Sequence, residues 1–104
     1  MRKYYWTGIS KDERIKSISE ITTIIDRYGA ILNFQRFSDI SLSLVIETEE
    51  CRLNDLYLSL EKVMFIEGYD HTISDSTAEC IILFNITFTK GTGDMKIEIP
   101  SIPG

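Results

Sequence analysis

The run Ile40 to Thr48, ISLSLVIET, constrains the fold more than any other stretch of this chain. Ile40, Leu42, Leu44 and Ile46 alternate with Ser41, Ser43, Val45 and Glu47, the period-two mark of a strand with one buried face. The preceding AILNFQRF, residues 30–37, reads as its hairpin partner, with the turn near Phe37-Ser38-Asp39. This hairpin stands between two segments whose apolar residues recur at helical spacing. Lys3–Ile9 supplies a strand before the first helix, and Glu79–Thr89 supplies one after the second. The order is β-α-β-β-α-β. It predicts an α+β, ferredoxin-like βαββαβ sandwich, an antiparallel sheet in the order 4-1-3-2 with two helices on one face. Gly91-Thr92-Gly93-Asp94 then reads as a turn into an extra C-terminal β-strand, Met95–Ile99, hairpinned to the fourth.

The helical segments carry their own punctuation. Ser10 with Glu13 three residues on has the form of a capping box. Ile15, Ile18, Ile21, Ile25 and Tyr28 then form one stripe, with Ile24 on its shoulder. Gly29 reads as the C′ glycine that ends this helix. In the second helix Leu53, Leu56, Leu60 and Val63 form the buried stripe, Tyr57 and Met64 flank it, and the pattern fades near Glu67-Gly68. Residues 69–78 are polar and read as a loop. The face of the sheet away from the helices is expected to carry Ser41, Ser43, Glu47, Asn85 and Thr87, mixed with Val45, Ile81 and Leu83.

Length and charge narrow the function classes. The 104 residues form a single domain, 1–104, long enough to bury roughly 60% of the surface exposed by the unfolded chain. The net charge of -5 disfavours nucleic acid, whose affinity rests on many Lys and Arg contacts, and it disfavours an anionic membrane surface. Tyr4, Tyr5 and Trp6 resemble base-stacking sheet aromatics, but ISLSLVIET lacks the basic and aromatic residues that RNA recognition needs on the matching strand. The N-terminus has no signal-peptide run and no apolar segment reaches membrane-spanning length. Cys51 and Cys80 match no metal spacing and read as reduced thiols, so the cytoplasm is the expected compartment.

No constellation here points to catalysis, a cofactor or a metal. His71, the only histidine, lies near Asp70, Asp75 and Glu79 in a spacing foreign to zinc and calcium sites. A small enzyme or metal-binding protein using this loop is one alternative. Pairing of His71 with Cys80 is disfavoured because Cys80 sits on the most apolar strand face. Gly91-Thr92-Gly93 precedes a strand and therefore lacks the context of a phosphate loop. Gly8-Ile9-Ser10 lies where a strand enters a helix, a place where free amides suit an anion. A structural subunit that packs its mixed open face on another protein is a further alternative.

Gly8-Ile9-Ser10 between strand and helix, Tyr28-Gly29-Ala30-Ile31-Leu32-Asn33 leading from helix to strand, and the hairpin ISLSLVIE together resemble ACT-type regulatory domains over roughly Lys3 to Thr89. The resemblance implies a non-enzymatic homodimer paired through the edge of the second strand. It also implies a small effector, an amino acid or simple anion, at the subunit interface. Gly8, Ile9 and Ser10 of one subunit and Ile31, Leu32 and Asn33 of the other would be the ligand-binding residues. The chain lacks the Asp and Pro that commonly flank the loop glycine of such domains.

Overall fold

A computed structural model describes residues 1–70 and 74–89 of the chain. Its elements are β1 (Arg2–Ser10), α1 (Arg14–Tyr28), β2 (Gly29–Ser38), β3 (Ser41–Glu49), a 3-10 turn (Glu50–Arg52), α2 (Leu53–Glu61), β4 (Phe65–Glu67) and β5 (Glu79–Phe88). The fold is α+β: two helices and one five-stranded mixed sheet in the order β2-β3-β5-β1-β4. His71, the turn at 91–94 and the strand expected at 95–99 lie outside the described residues.

The expectation of an antiparallel sheet ordered 4-1-3-2 requires correction. The strand at Glu79–Phe88 is not at the edge beyond β1. It lies in the centre, parallel to β1 from Arg2↔Cys80 to Ser10↔Phe88 and antiparallel to β3 from Ser41↔Thr87 to Glu49↔Glu79. The physical reason is its composition. Cys80, Ile82, Phe84, Ile86 and Phe88 are all buried on one side, and Ile81 and Leu83 are half-buried on the other. A strand apolar on both faces belongs inside a sheet. β5 is hydrogen-bonded to neighbours on both sides over its whole length. The outer edge beside β1 is instead taken by β4, where Thr7↔Glu67, Gly8↔Ile66 and Ile9↔Phe65 pair antiparallel.

One face of the sheet holds the core. Trp6 from β1, Leu42, Leu44 and Ile46 from β3 and the five buried β5 residues pack with Ile21, Ile24 and Ile25 of α1 and Leu53, Leu56, Tyr57 and Leu60 of α2. The two helices thus share a side, as the strand alternation requires. The stripe read for α1 is slightly rotated: Ile15 is exposed, and the turn below it is buried through Ser17. Trp6 meets Phe84, Tyr57 and Tyr69 edge-on at centroid distances of 6.2, 5.2 and 5.7 Å. Tyr69 therefore belongs to the core, although its segment reads as polar loop. The Tyr57 hydroxyl donates to the Ile66 carbonyl at 2.7 Å and fastens α2 to β4.

Helix ends differ from the sequence reading. Ser10 is the last residue of β1, and the N-cap of α1 is Glu13, whose carboxylate accepts from the Lys16 amide at 2.9 Å. Gly29 is not a left-handed C′ residue. Its φ of -173° is extended backbone, and it opens β2 directly. A Cβ at Gly29 would lie 2.3 Å from the Glu47 carbonyl oxygen, so the glycine is there for close approach of β2 to β3. The Thr48 hydroxyl donates to the Tyr28 carbonyl and satisfies one of the last acceptors of α1. Positive φ occurs at Gly68, 114°, where the chain leaves β4 beside the Tyr5 carbonyl.

Candidate functional site

The six residues nominated for ligand binding fall into two groups that one chain does not bring together. Gly8 and Ser10 point into the core, and Ile9 faces the opposite, open side of the sheet. A Cβ at Gly8 would lie 2.8 Å from the Met64 sulfur and 3.0 Å from the Phe84 ring, so this glycine makes room for packing. Ser10 is fully buried; its hydroxyl bonds with that of Ser17 and accepts from the Asp12 amide at 3.3 Å. The Ser10 carbonyl accepts from the Thr89 amide and hydroxyl at 3.0 and 3.2 Å. On β2, Ile31 packs against the core, Leu32 is the extra residue of a bulge, and Asn33 lies opposite Val45. β5 and β3 separate β1 from β2, which places the two groups about 14 Å apart across the sheet at ordinary strand spacing. They are also offset along it, since Gly8 shares a row with Arg36, and Ile31 shares one with Tyr4.

Two clefts border these groups. One of about 370 Å³ lies beside Ile9, where Lys11, Asp12 and Glu61 surround an apolar floor of Val63, Met64 and Phe65. The other, of about 320 Å³, lies at the start of β2 against residues 26–30, 47–49, Arg52 and Glu79. Both are within the size range of small-molecule sites.

The edge strand β2 is the most exposed regular element. Every residue from Leu32 to Ser38 is exposed, with Leu32 at 55%, Phe34 at 45% and Phe37 at 63%. Its outer backbone groups have no strand neighbour among the described residues. Arg36 is its one charged side chain, and proline is absent. Two bulges, between Ile31 and Asn33 and between Arg36 and Ser38, bracket a regular segment Asn33–Arg36. An ion pair of 3.0 Å from Arg14 to Asp39 ties the β2–β3 turn to the start of α1.

The open face is polar in part, as its alternation requires. Ser41, Ser43, Asn85 and Thr87 share it with Val45, Ile81 and Leu83. Sequence reading missed that Phe65 and Glu67 join this face, because β4 is too short to show a period.

Among the described residues no three His, Cys, Asp or Glu side chains are placed to hold a metal ion. Cys51 and Cys80 are both free thiols. Burial first, and the Glu50 carboxylate second, push the Cys80 thiol up to about 11. At neutral pH it is therefore a protonated core residue and a poor nucleophile. No described helix is long and apolar enough to cross a membrane. In comparisons with known proteins, no family model matches the chain, no curated protein matches it, and no solved structure matches it.

Proposed function

We propose that this chain is a non-enzymatic, cytoplasmic regulatory module that acts as a homodimer joined along β2. Its frame is read as a ferredoxin-like sandwich in which β5 has been inserted between the third strand and the first. With β5 set aside, the order β2-β3-β1-β4 is the ferredoxin order read from the other edge. The observation that carries the proposal is the β2 edge. Its outer backbone donors and acceptors have no strand neighbour among the described residues, Leu32, Phe34 and Phe37 are exposed, and it bears a single charge. Soluble proteins usually blunt such an edge or pair it. The bulges shorten the regular ladder to Asn33–Arg36, which fixes where two copies would zip.

The ACT-like reading places a small effector, an amino acid or simple anion, between subunits at Gly8–Ser10 and Ile31–Asn33. The central β5 moves Gly8–Ser10 one strand further from the β2 edge than that arrangement needs. The cleft beside Ile9 offers the Lys11 ammonium to an effector's carboxylate, with Asp12 and Glu61 left to bind its ammonium. Sedimentation velocity over a wide concentration range tests the dimer. The expected result is a dimer that the double substitution Leu32→Lys, Phe34→Lys converts to a folded monomer. A strictly monomeric wild-type chain at high concentration would refute the proposal.

A further inference from the structure

The sheet face turned away from the helices carries an excess of carboxylates together with exposed aromatic rings. Cross-strand register fixes its rows. Glu67, Thr7, Asn85, Ser43 and Gln35 form one. Tyr5, Leu83, Val45 and Asn33 form the next. Lys3, Ile81, Glu47 and Ala30 follow, and Glu79 with Glu49 closes the end. Among the described residues, four carboxylates and one ammonium, that of Lys3, therefore stand on this face, an excess of three negative charges. Glu49 is engaged by Arg52 at 3.3 Å, whereas Glu47, Glu67 and Glu79 have no ion-pair partner among the described residues. Glu49 and Glu79 lie directly opposite each other, a like-charge pairing that costs stability. Tyr5 and Phe65 stand 66% and 62% exposed among these carboxylates.

We infer that this face docks a protein partner through a basic, arginine-rich surface of that partner. The inference concerns a surface other than the β2 edge and does not depend on self-association. Exposed rings on an acidic face suit guanidinium groups twice over, through cation–π contact with the ring face and through charge-assisted hydrogen bonds to the carboxylates. Charge complementarity also rejects the obvious alternative occupant, since a second copy would bring an equal excess of negative charge face to face. The size fits. The long strands β1, β5 and β3 with the short β4 cover about 500 Å² of flat area at ordinary strand geometry, and side-chain relief brings this toward the ~800 Å² per partner of a standard interface.

Titration of the ¹⁵N-labelled full chain with an oligo-arginine peptide, followed by amide chemical shifts, tests the inference, with oligo-glutamate as the opposite-charge probe. The expected result is a saturable set of shifts confined to β1, β4, β5 and β3, absent with oligo-glutamate. The triple substitution Glu47→Lys, Glu67→Lys, Glu79→Lys should weaken binding about tenfold or more. Asp26→Lys, Asp55→Lys, Glu61→Lys changes the net charge equally on exposed positions of the helix layer and should weaken it far less. Tyr5→Ala with Phe65→Ala keeps all charges and should also weaken binding. Shifts spread equally over the helix layer, or equal losses in the two triple variants, would overturn the inference. So would concentration-dependent shifts of the face without peptide, because they would assign it to a second copy.

Discussion

Gly29→Ala tests the account of how α1 passes into β2. The added Cβ would meet the Glu47 carbonyl oxygen at 2.3 Å and the Thr48 Cβ at 2.9 Å, whereas ordinary contact begins near 3.4 Å. The obstacle is backbone in the adjacent strand, so β2 must withdraw from β3 by about 1 Å at this end, the difference between those contact distances. That movement breaks the pairing Gly29↔Thr48 and Ala30↔Glu47. Loss of two ladder bonds at about 1 kcal/mol each, with ~1–3 kcal/mol of overpacking strain, is offset by under ~1 kcal/mol from the stiffer unfolded chain. The net destabilisation is roughly 2–4 kcal/mol, and at about 4–8 °C per kcal/mol for a domain of this size the melting temperature should fall by roughly 8–32 °C. Thermal and urea melts followed by far-ultraviolet circular dichroism read this directly. Gly29→Asn separates the two explanations, because Asn tolerates a left-handed cap but not a crowded strand. A melting temperature within about 2 °C of wild type for Gly29→Ala, or selective tolerance of Asn, would refute the close-approach account.

Gly8→Ala should cost less than Gly29→Ala in the same melts, about 1–2 kcal/mol, because the atom first met is the movable Met64 sulfur. Tyr57→Phe should cost about 1–3 kcal/mol in urea unfolding, since it removes the buried hydrogen bond to the Ile66 carbonyl. At pH 8, a thiol reagent should label Cys51 in the native protein and spare Cys80 until denaturant is added. Cys80 also sets a pH dependence. Its folded pKa, about 11, lies above the ordinary thiol value of 9.0, so the unfolded chain sheds the proton first. Its contribution is intact below about 9 and lost as pH rises through about 11; urea melts across this window should show a steeper loss for wild type than for Cys80→Ala.

The parts of the fold that were legible in the sequence are those with a long period. Ile40–Thr48 and Glu79–Phe88 alternate over nine or ten residues, and their buried and open faces follow the reading. The position of Glu79–Phe88 in the sheet was less legible. Alternation reports which face is buried but not which neighbour pairs, and the fuller signal, Cys80-Ile81-Ile82-Leu83-Phe84 apolar on both faces, points to a central strand. β4 was invisible because Phe65, Ile66 and Glu67 are too few for a period and follow apolar positions in helical register. The glycines were found, but their reasons were not. Gly8 and Gly29 exist for neighbours distant in sequence, Phe84 and Glu47, which local pattern cannot name. The candidate surfaces share this limit: a free β2 edge can be read from composition, while the gathering of Glu47, Glu67 and Glu79 on one face depends on register.

Placing the last described strand of the sheet at its middle has a consequence for biogenesis. The pairing of Arg2 with Cys80 joins residues far apart in the chain, and such closures slow folding. Until β5 emerges from the ribosome, β1 and β3 each expose a bare inner flank in addition to the outer edges of β2 and β4. A chain released before residue 79 would lack the keystone of its sheet, so chaperone demand should be greatest late in synthesis.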